Sequence, residues 1–321
     1  MNKRVVLAVA ILLLLNFSGC DRDGSDEPKV TLMDLSSISV TDVALAETTS
    51  VDEVEKTSPV MPDSNFSEFS LGATTLSEQV VYQDDHLIIS AINGVTTDLE
   101  TGFVIIPIQV QNMTSDQIEL LAVDGSVNGS MIQTILYASA EPGVKTEASL
   151  YVPITELNYA SIDLLDELEA FLMLTYAKDE SVVYTKSPLH ISFDGNGDYS
   201  QSFDRSGTVV LDRDGIVATV RPYVDSSESG YNLLVMVENK CDSTVRISLS
   251  SVKVNGKSIP TLFYSQVLSG KVAFSLCTFI EQDLSLENIT EVQTVEFVIA
   301  IEDPMSNEDL FVSEPITLSV S

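Results

Sequence analysis

Basic residues and tryptophan are the clearest shortages in this sequence. The 321 residues include 16 Lys and Arg against 48 Asp and Glu, no Trp, and a formal net charge of -32. Nucleic acid is a polyanion, and proteins bind it by placing a basic surface along the phosphates, which this chain lacks. The charge therefore excludes nucleic acid as a partner and disfavours direct contact with anionic lipid headgroups.

Catalytic motifs are also missing. Only two histidines occur, His86 and His190, and histidine is the side chain most often used for acid–base catalysis. The patterns G-x-S-x-G, H-E-x-x-H and C-x-x-C are absent, which removes common signatures of serine hydrolases, zinc proteases and dithiol enzymes. A carboxylate pair can make a glycosidase without a local motif, but two small domains without tryptophan would form a poor sugar cleft. The sequence predicts a protein that is not an enzyme.

Cysteine is scarce as well, with three in the chain. Cys20 belongs to an N-terminal motif described below. Cys241 and Cys277 leave two alternatives open, a single disulfide in an oxidising exterior or two free thiols, because the sequence does not give their separation in space.

The N-terminal apolar run is too short to cross a membrane permanently. Lys3 and Arg4 precede eleven apolar residues from Val5 to Leu15, which as a helix would span about 16 Å, roughly half of a bilayer core. A basic start, a short apolar core and small residues before a cleavage point are the three parts of an export signal. We expect residues 1–19 to be a signal peptide.

The end of this signal carries a cysteine that cleavage alone does not require. Phe17-Ser18-Gly19-Cys20 resembles the bacterial lipobox, and the resemblance implies that Cys20 becomes the lipid-modified first residue of the mature chain. Two acyl chains would hold the protein stably on a membrane. The expected location is the outer face of the bacterial cytoplasmic membrane or the cell surface. The alternative is an ordinary secreted protein.

Residues 20–79 separate this motif from the rest of the chain. The stretch is rich in Ser, Thr, Asp, Glu and Pro, and its apolar residues follow no clear period. Such a composition buries too little apolar surface to fold, and its acidic side chains repel one another. We expect a disordered acidic tether.

Beyond residue 80 the chain repeats itself. Corresponding residues from Asn112 to Pro188 recur 127 positions later without a gap, over 77 positions. Clear pairs are Asn112 with Asn239, Gly143 with Gly270, Leu157 with Leu284, Glu169 with Glu296, and Pro188 with Pro315. The repeat predicts two homologous domains at 80–193 and 208–320, joined by a linker at 194–207; each has the size of an ordinary domain.

Each copy has the pattern of short strands. "FVIIPIQVQN" and "YNLLVMVEN" alternate or run apolar, and the Asn-Gly pairs at 128–129 and 255–256 suit two-residue hairpin turns. A short helix or turn is expected around "ELNYASIDLLDELE" and "EQDLSLENITEVQ". The pattern predicts an all-β fold of two antiparallel β-sandwiches.

The two copies resemble the tandem immunoglobulin-like domains of many bacterial surface lipoproteins. The likeness covers about 80–320 and depends on the "YQDDHL" and "LDRDGI" openings, the "VNG" turns, and the "SPLHISF" and "EPITLSV" endings. It implies a fold of two tandem immunoglobulin-like sandwiches. Function is not implied, because these motifs are structural.

The linker holds the one candidate metal site. Asp194, Asn196 and Asp198 alternate with glycine in "DGNGD", as oxygen ligands do in the first half of a calcium loop. The second half departs from the motif, since Tyr199 stands where glycine is expected and Arg205 where a bidentate Glu is expected. Asp204 is the nearest substitute ligand. The alternative is a glycine-rich turn between the repeats. Calcium is the only cofactor candidate.

These observations predict a non-catalytic, lipid-anchored, extracytoplasmic interaction module that binds a protein or envelope component through loops or an exposed strand edge. Alternatives are a structural spacer or envelope-maintenance lipoprotein, and an accessory cation-binding or solute-binding lipoprotein. An acidic cluster is expected to be a solvated rim: Asp163, Asp166, Glu167 and Glu169.

Overall fold

The computed structural model describes residues 69–194, 199–223 and 230–320. The predicted signal peptide 1–19, Cys20 and the tether up to residue 68 lie outside these ranges, as do Asn196 and Asp198. No helix within the described ranges is long and apolar enough to cross a bilayer. Both repeats lie in one compact unit, Pro59–Ser321.

In the described residues 69–194, the first repeat forms eleven strands and one short helix. They are β1 Gln79–Gln83, β2 Leu87–Ala91, β3 Thr96–Asp98, β4 Phe103–Asn112, β5 Ile118–Val127, β6 Ser130–Met131, β7 Ile135–Ala140, β8 Lys145–Pro153, α1 Ile154–Tyr159, β9 Glu167–Tyr176, β10 Val182–Tyr184 and β11 Leu189–Ser192.

Residues 208–223 and 230–320 of the second repeat form ten strands and the equivalent helix. They are β12 Thr208–Arg213, β13 Ile216–Tyr223, β14 Gly230–Asn239, β15 Val245–Val254, β16 Lys257–Ser258, β17 Phe263–Val267, β18 Val272–Ile280, α2 Glu281–Leu286, β19 Thr294–Glu302, β20 Asp309–Val312 and β21 Ile316–Ser319. The predicted all-β class is confirmed, and so are the two short helices.

Each repeat is a pair of antiparallel sheets around an apolar core. In the first repeat one sheet runs β1-β2-β4-β8-β7, and the other places β7, β5 and β9 beside the outer strands β10 and β11. In the second repeat the sheets are β12-β13-β14-β18 and β17-β15-β19, with β20 and β21 outside β19. Leaving out β1, β12 and the short strands β3, β6 and β16, this strand order is of the immunoglobulin-like type.

The 127-residue offset recurs in the backbone. Asn128 and Asn255 both have φ 49°, and the glycines that follow them also have positive φ, so both Asn-Gly hairpin turns form as expected. Asp124 and Ser251, at φ 50° and 54°, lie at matching irregularities of β5 and β15. Local sequence thus produces the same turns twice.

The folded part begins before the predicted boundary at residue 80. Leu76 is buried in the first core, and the amide of Gly72 donates to the carbonyl of Asp163. Residues 69–79, assigned to the tether from composition, therefore pack on the first repeat, because their few apolar side chains find a partner surface that composition does not reveal.

The two repeats share a buried junction. Gly129 accepts a hydrogen bond from the amide of Val272, which starts a parallel pairing of β6 with β18. Phe203 lies against Phe274, and Tyr159 meets Tyr223 edge-on at 5.4 Å. Four residues of the second repeat are buried in the core cluster of the first: Leu234, Met236, Val272 and Phe274.

Candidate interaction surface

Asp194 is the one member of the candidate calcium set that the structure describes. Its side-chain oxygen accepts a hydrogen bond from the Ser77 hydroxyl at 2.7 Å, and its amide donates to the carbonyl of Thr75. Asp194 therefore ties the segment before β1 to the end of β11. No group of three His, Cys, Asp or Glu residues within the described ranges is placed to hold a metal ion.

The other end of the candidate loop is occupied by ion pairs. Arg205 lies 3.1 Å from Glu238 of β14. Asp204, the substitute ligand, accepts hydrogen bonds from Ser206 and then from Arg221, and these hold its pKa at about 2. The side chains of Arg205 and Asp204 thus bind the linker to the second repeat. The calcium site remains a prediction, which depends on residues 194–198.

The two remaining cysteines are free thiols. Cys277 is fully buried in β18, and burial raises the pKa of its thiol to about 12. Cys241 is half-buried, and its Sγ donates to the carbonyl of Asp214 at 2.9 Å. Of the two alternatives left open by the sequence, Cys241 and Cys277 are therefore separate thiols and do not form a disulfide.

Glu169 departs from the predicted solvated rim. Its carboxylate lies 2.5 Å from Lys271 of the second repeat and 3.6 Å from Nδ1 of His190. Burial alone would raise its pKa, but the hydrogen bond and charge of Lys271, together with His190, hold the pKa below its ordinary value. The carboxylate therefore belongs to the junction between the repeats.

The outward side of the sheet β7-β5-β9-β10 is unusually apolar for a solvent-facing surface. Tyr137, Leu121, Met173 and Tyr184 are successive cross-strand partners, and so form one row across four strands. Tyr137 and Tyr184 are 40% and 60% exposed. With three neighbours on the same side they form the surface called here the apolar face: Leu121, Val123, Tyr137, Phe171, Met173, Val182 and Tyr184.

The second repeat provides a matched comparison for this surface. The row of cross-strand partners in the same place is Tyr264, Ser248, Ala300 and Val312. Val312 takes the place of Phe311, the sequence equivalent of Tyr184, because β20 pairs with β19 one residue out of the corresponding register. Ser248 donates to Glu302 at 2.6 Å, as expected for the solvent side of an antiparallel sheet. The two sheets have the same scaffold, so fold alone does not require apolar residues on the apolar face.

The strand β10 continues the apolar face to a free sheet edge. The amide of Thr185 donates to Leu172 and that of Tyr176 to the carbonyl of Ser181, so odd-numbered residues of this segment bond to β9. Val182 and Tyr184 consequently direct their backbone groups outward, where no strand of the described ranges pairs with them.

The sequence of β9 contains a signal for the apolar face, but the same signal occurs in a strand whose outer side is covered. "AFLML" in β9 is continuously apolar, as "LLVMV" is in β14, and a strand that is apolar on both sides is usually covered on both. The first repeat covers the outer side of β14, since Leu234 and Met236 lie in its cluster. On the outer side of β9, Lys271 covers Glu169, while Phe171 and Met173 are only half-buried.

Comparisons with known proteins add little. No protein-family model matches the chain, and no curated protein is significantly similar. Among solved structures, the YadV chaperone matches at 8% identity and a TM-score of 0.22, over 67% of this chain and 92% of its own. A protein of unknown function from Porphyromonas gingivalis W83 matches at 12% and 0.19, over 68% and 90%. The CsuC-CsuE chaperone and tip adhesion subunit complex of Acinetobacter baumannii Csu pili matches at 16% and 0.19, over 53% and 81%. TM-scores this low carry no argument about function.

Proposed function

We propose that this chain is a non-catalytic, lipid-anchored interaction module of the bacterial cell envelope, with tandem immunoglobulin-like domains that bind a protein partner through the apolar face. The proposal places the chain on the outer face of the cytoplasmic membrane or at the cell surface, held by a lipid on Cys20. Its single main support is the contrast between the apolar face and its counterpart in the second repeat, where Ser248 and Ala300 stand in place of Leu121 and Met173. Exposed apolar patches of this kind mark protein interaction surfaces.

The free edge of β10 suits strand addition as the mode of contact. Val182 and Tyr184 present outward backbone groups and also lie on the apolar face. An added strand would therefore gain main-chain hydrogen bonds and apolar contacts in the same place. The excess of acidic residues, 48 against 16 basic ones, favours a partner with basic residues around its apolar contact.

The test is crosslinking on intact cells of the native host, followed by mass spectrometry. The variant Leu121→Ser with Met173→Ala installs the second repeat's own residues on the apolar face, and we expect at least a tenfold lower yield of the crosslinked partner. Val298→Ser in the second repeat is the matched control, since Val298 is the half-buried equivalent of Phe171. Equal yields from all three proteins would overturn the proposal.

The anchor is tested separately. Cys20→Ala should move the protein from the membrane fraction to the soluble fraction, and lipid labelling of the mature chain should disappear with it. A variant that remains in the membrane fraction would contradict lipidation at Cys20.

A structural spacer is the second candidate function. It is favoured by the junction, where Lys271 and Glu169 pair and β6 joins β18. A spacer predicts that the apolar-face variant behaves as wild type in the crosslinking test, while envelope integrity depends on the length of the chain.

A further inference from the structure

The two repeats close their sandwiches differently. In the first repeat β7 pairs with β5 in one sheet and with β8 in the other, for example at Leu136 and Leu150. In the second repeat β17 pairs with β15, and with no other strand of the described residues. On its outer side β18 has no strand partner in the described ranges beyond Ala273, where the pairing with β6 ends. This edge of the second sandwich, called here the open flank, therefore lacks a strand neighbour, although α1 of the first repeat lies close to β18.

Sequence differences just before β7 and β17 explain why β7 pairs with both sheets and β17 with one. In the first repeat the carboxylate of Glu156 accepts a hydrogen bond from the backbone N–H of Gln133 at 2.5 Å. This bond holds the chain in place as it enters β7. The residue equivalent to Gln133 is Pro260, which has no N–H to donate. The residue equivalent to Glu156 is Asp283, with a shorter side chain. The contact that precedes β7 therefore cannot form before β17.

The open flank exposes apolar side chains that the first repeat covers. Leu262, Ile280 and Leu286 are 66%, 49% and 71% exposed. Of the equivalent residues in the first repeat, Ile135 is half-buried and Pro153 is buried, whereas Tyr159 is half-buried against Tyr223 at the junction and does not bear on the flank. Leu262 and Ile280 are thus exposed in the second repeat, although the equivalent side chains of the first repeat are covered.

The backbone of β18 is oriented to accept another strand. Because the amide of Val272 donates to Gly129 of β6, the even-numbered residues of β18 direct their N–H and C=O groups outward. Thr278 and Ile280 are among them. The hydroxyl contact of Ser265 with Ser275, at 3.1 Å, still links β17 to β18, and from there the strands separate towards Leu262 and Thr278.

We propose that this flank binds an extended segment of another protein, which pairs with β18 in the position that β7 occupies beside β8. The first repeat defines the chemistry of the occupant, because Ile135 and Leu136 are the two residues that pair with β8. The segment therefore has adjacent apolar residues in a β-forming sequence. Basic residues on either side of it suit the acidic chain. This site is distinct from the apolar face, which lies on the first repeat.

The first repeat also supplies a probe. A fluorescent peptide copying residues 132–140, with two lysines added at each end, is titrated into the full mature chain and followed by fluorescence anisotropy. We expect saturable binding that a scrambled peptide does not show. Hydrogen exchange followed by mass spectrometry should show new protection confined to 274–280.

Two variants locate the site. Thr278→Pro removes an outward N–H but no bond to β14, and should weaken peptide binding at least tenfold. Pro260→Gln with Asp283→Glu rebuilds in the second repeat the hydrogen bond between Gln133 and Glu156. We expect β17 then to pair with β18, and the double variant to bind the peptide at least tenfold more weakly. Val312→Ser, at an exposed position of β20 on the other sheet of the second repeat, is the control and should bind the peptide as wild type does.

Several outcomes would overturn this inference. They are no binding, equal binding by the rebuilt variant, protection outside β18, or self-association of the chain that Thr278→Pro abolishes, which would assign the flank to a second copy. If Thr278→Pro does not fold, the rebuilt variant decides. Failure here leaves the crosslinking test of the apolar face unaffected, because the substitutions that disrupt the flank lie in the second repeat and those that disrupt the apolar face lie in the first.

Discussion

Glu169 and Glu296 occupy equivalent positions, 127 residues apart, but have different surroundings. Glu169 pairs with Lys271 across the junction, and the Lys271 side chain is only 18% exposed. Glu296 pairs with Lys253 of its own repeat, whose side chain is 45% exposed. Exposed pairs contribute little to stability, whereas removing one partner of a largely buried pair leaves a charge in a poorly solvated place.

Glu169→Ala should therefore lower the free energy of unfolding by about 1–3 kcal/mol, and Glu296→Ala by less than about 1 kcal/mol. Urea denaturation at pH 7 measures both. Because the pKa of Glu169 is lowered in the folded state, its contribution is present above the ordinary Glu pKa and is lost as the pH falls through the folded-state value. Equal losses in the two variants would contradict a role for Glu169 in the junction.

Glu156 has the opposite shift. Burial raises its pKa to about 7, although the hydrogen bond from Gln133 opposes the rise. The folded state then binds a proton more tightly than the unfolded chain, so this residue's contribution to stability falls as the pH rises from about 4.5 to 7. Glu156→Gln should remove that fall and leave the variant on the order of 2 kcal/mol more stable than wild type at pH 8. Melting curves from pH 4 to 8 test this, and parallel curves for the two proteins would contradict it.

At the scale of elements, a continuous apolar run in a strand indicates a second covered side. Leu233, Val235 and Val237 of β14 face the second core, while Leu234 and Met236 belong to the cluster of the first repeat. The equivalent of Met236 in β4 is Gln109, which is half-buried. The junction therefore comes from residues on one side of β14 and is absent from β4.

Met236→Ala should destabilise the protein by about 2–4 kcal/mol, because it empties a buried position at the junction. Gln109→Ala, the matched change on β4, should cost less than about 1 kcal/mol. Chemical denaturation measures both. Similar costs would mean that the outer side of β14 contributes little to the junction.

The whole molecule combines two repeats through strand pairing, an ion pair and a shared apolar cluster. Such a junction couples the unfolding of its two sides, since neither can open without exposing buried residues of the other. The domain boundaries at 80–193 and 208–320 remain predictions, and the described parts of both lie in one compact unit.

Calorimetry should accordingly show one cooperative transition for the wild-type chain, with equal calorimetric and van't Hoff enthalpies. Met236→Asp places a charge in the junction and should split this into two transitions. Two transitions in the wild type would show that the repeats unfold independently.

The sequence by itself determined the all-β class, the internal repeat, both Asn-Gly turns and the position of both short helices. These features follow from side-chain periodicity and turn chemistry, which act over a few residues, and from a repeat that is visible directly. The tertiary structure decided the junction of Glu169 with Lys271, the packing of residues 69–79, the free thiols and the apolar face. Each of these features depends on contacts between residues far apart in the sequence, or on which side of a strand is covered by another element. The local sequence pattern contains neither kind of information. "AFLML" and "LLVMV" look alike in sequence, and only the packed structure shows that the outer side of β14 is covered while Phe171 and Met173 on that of β9 are only half-buried.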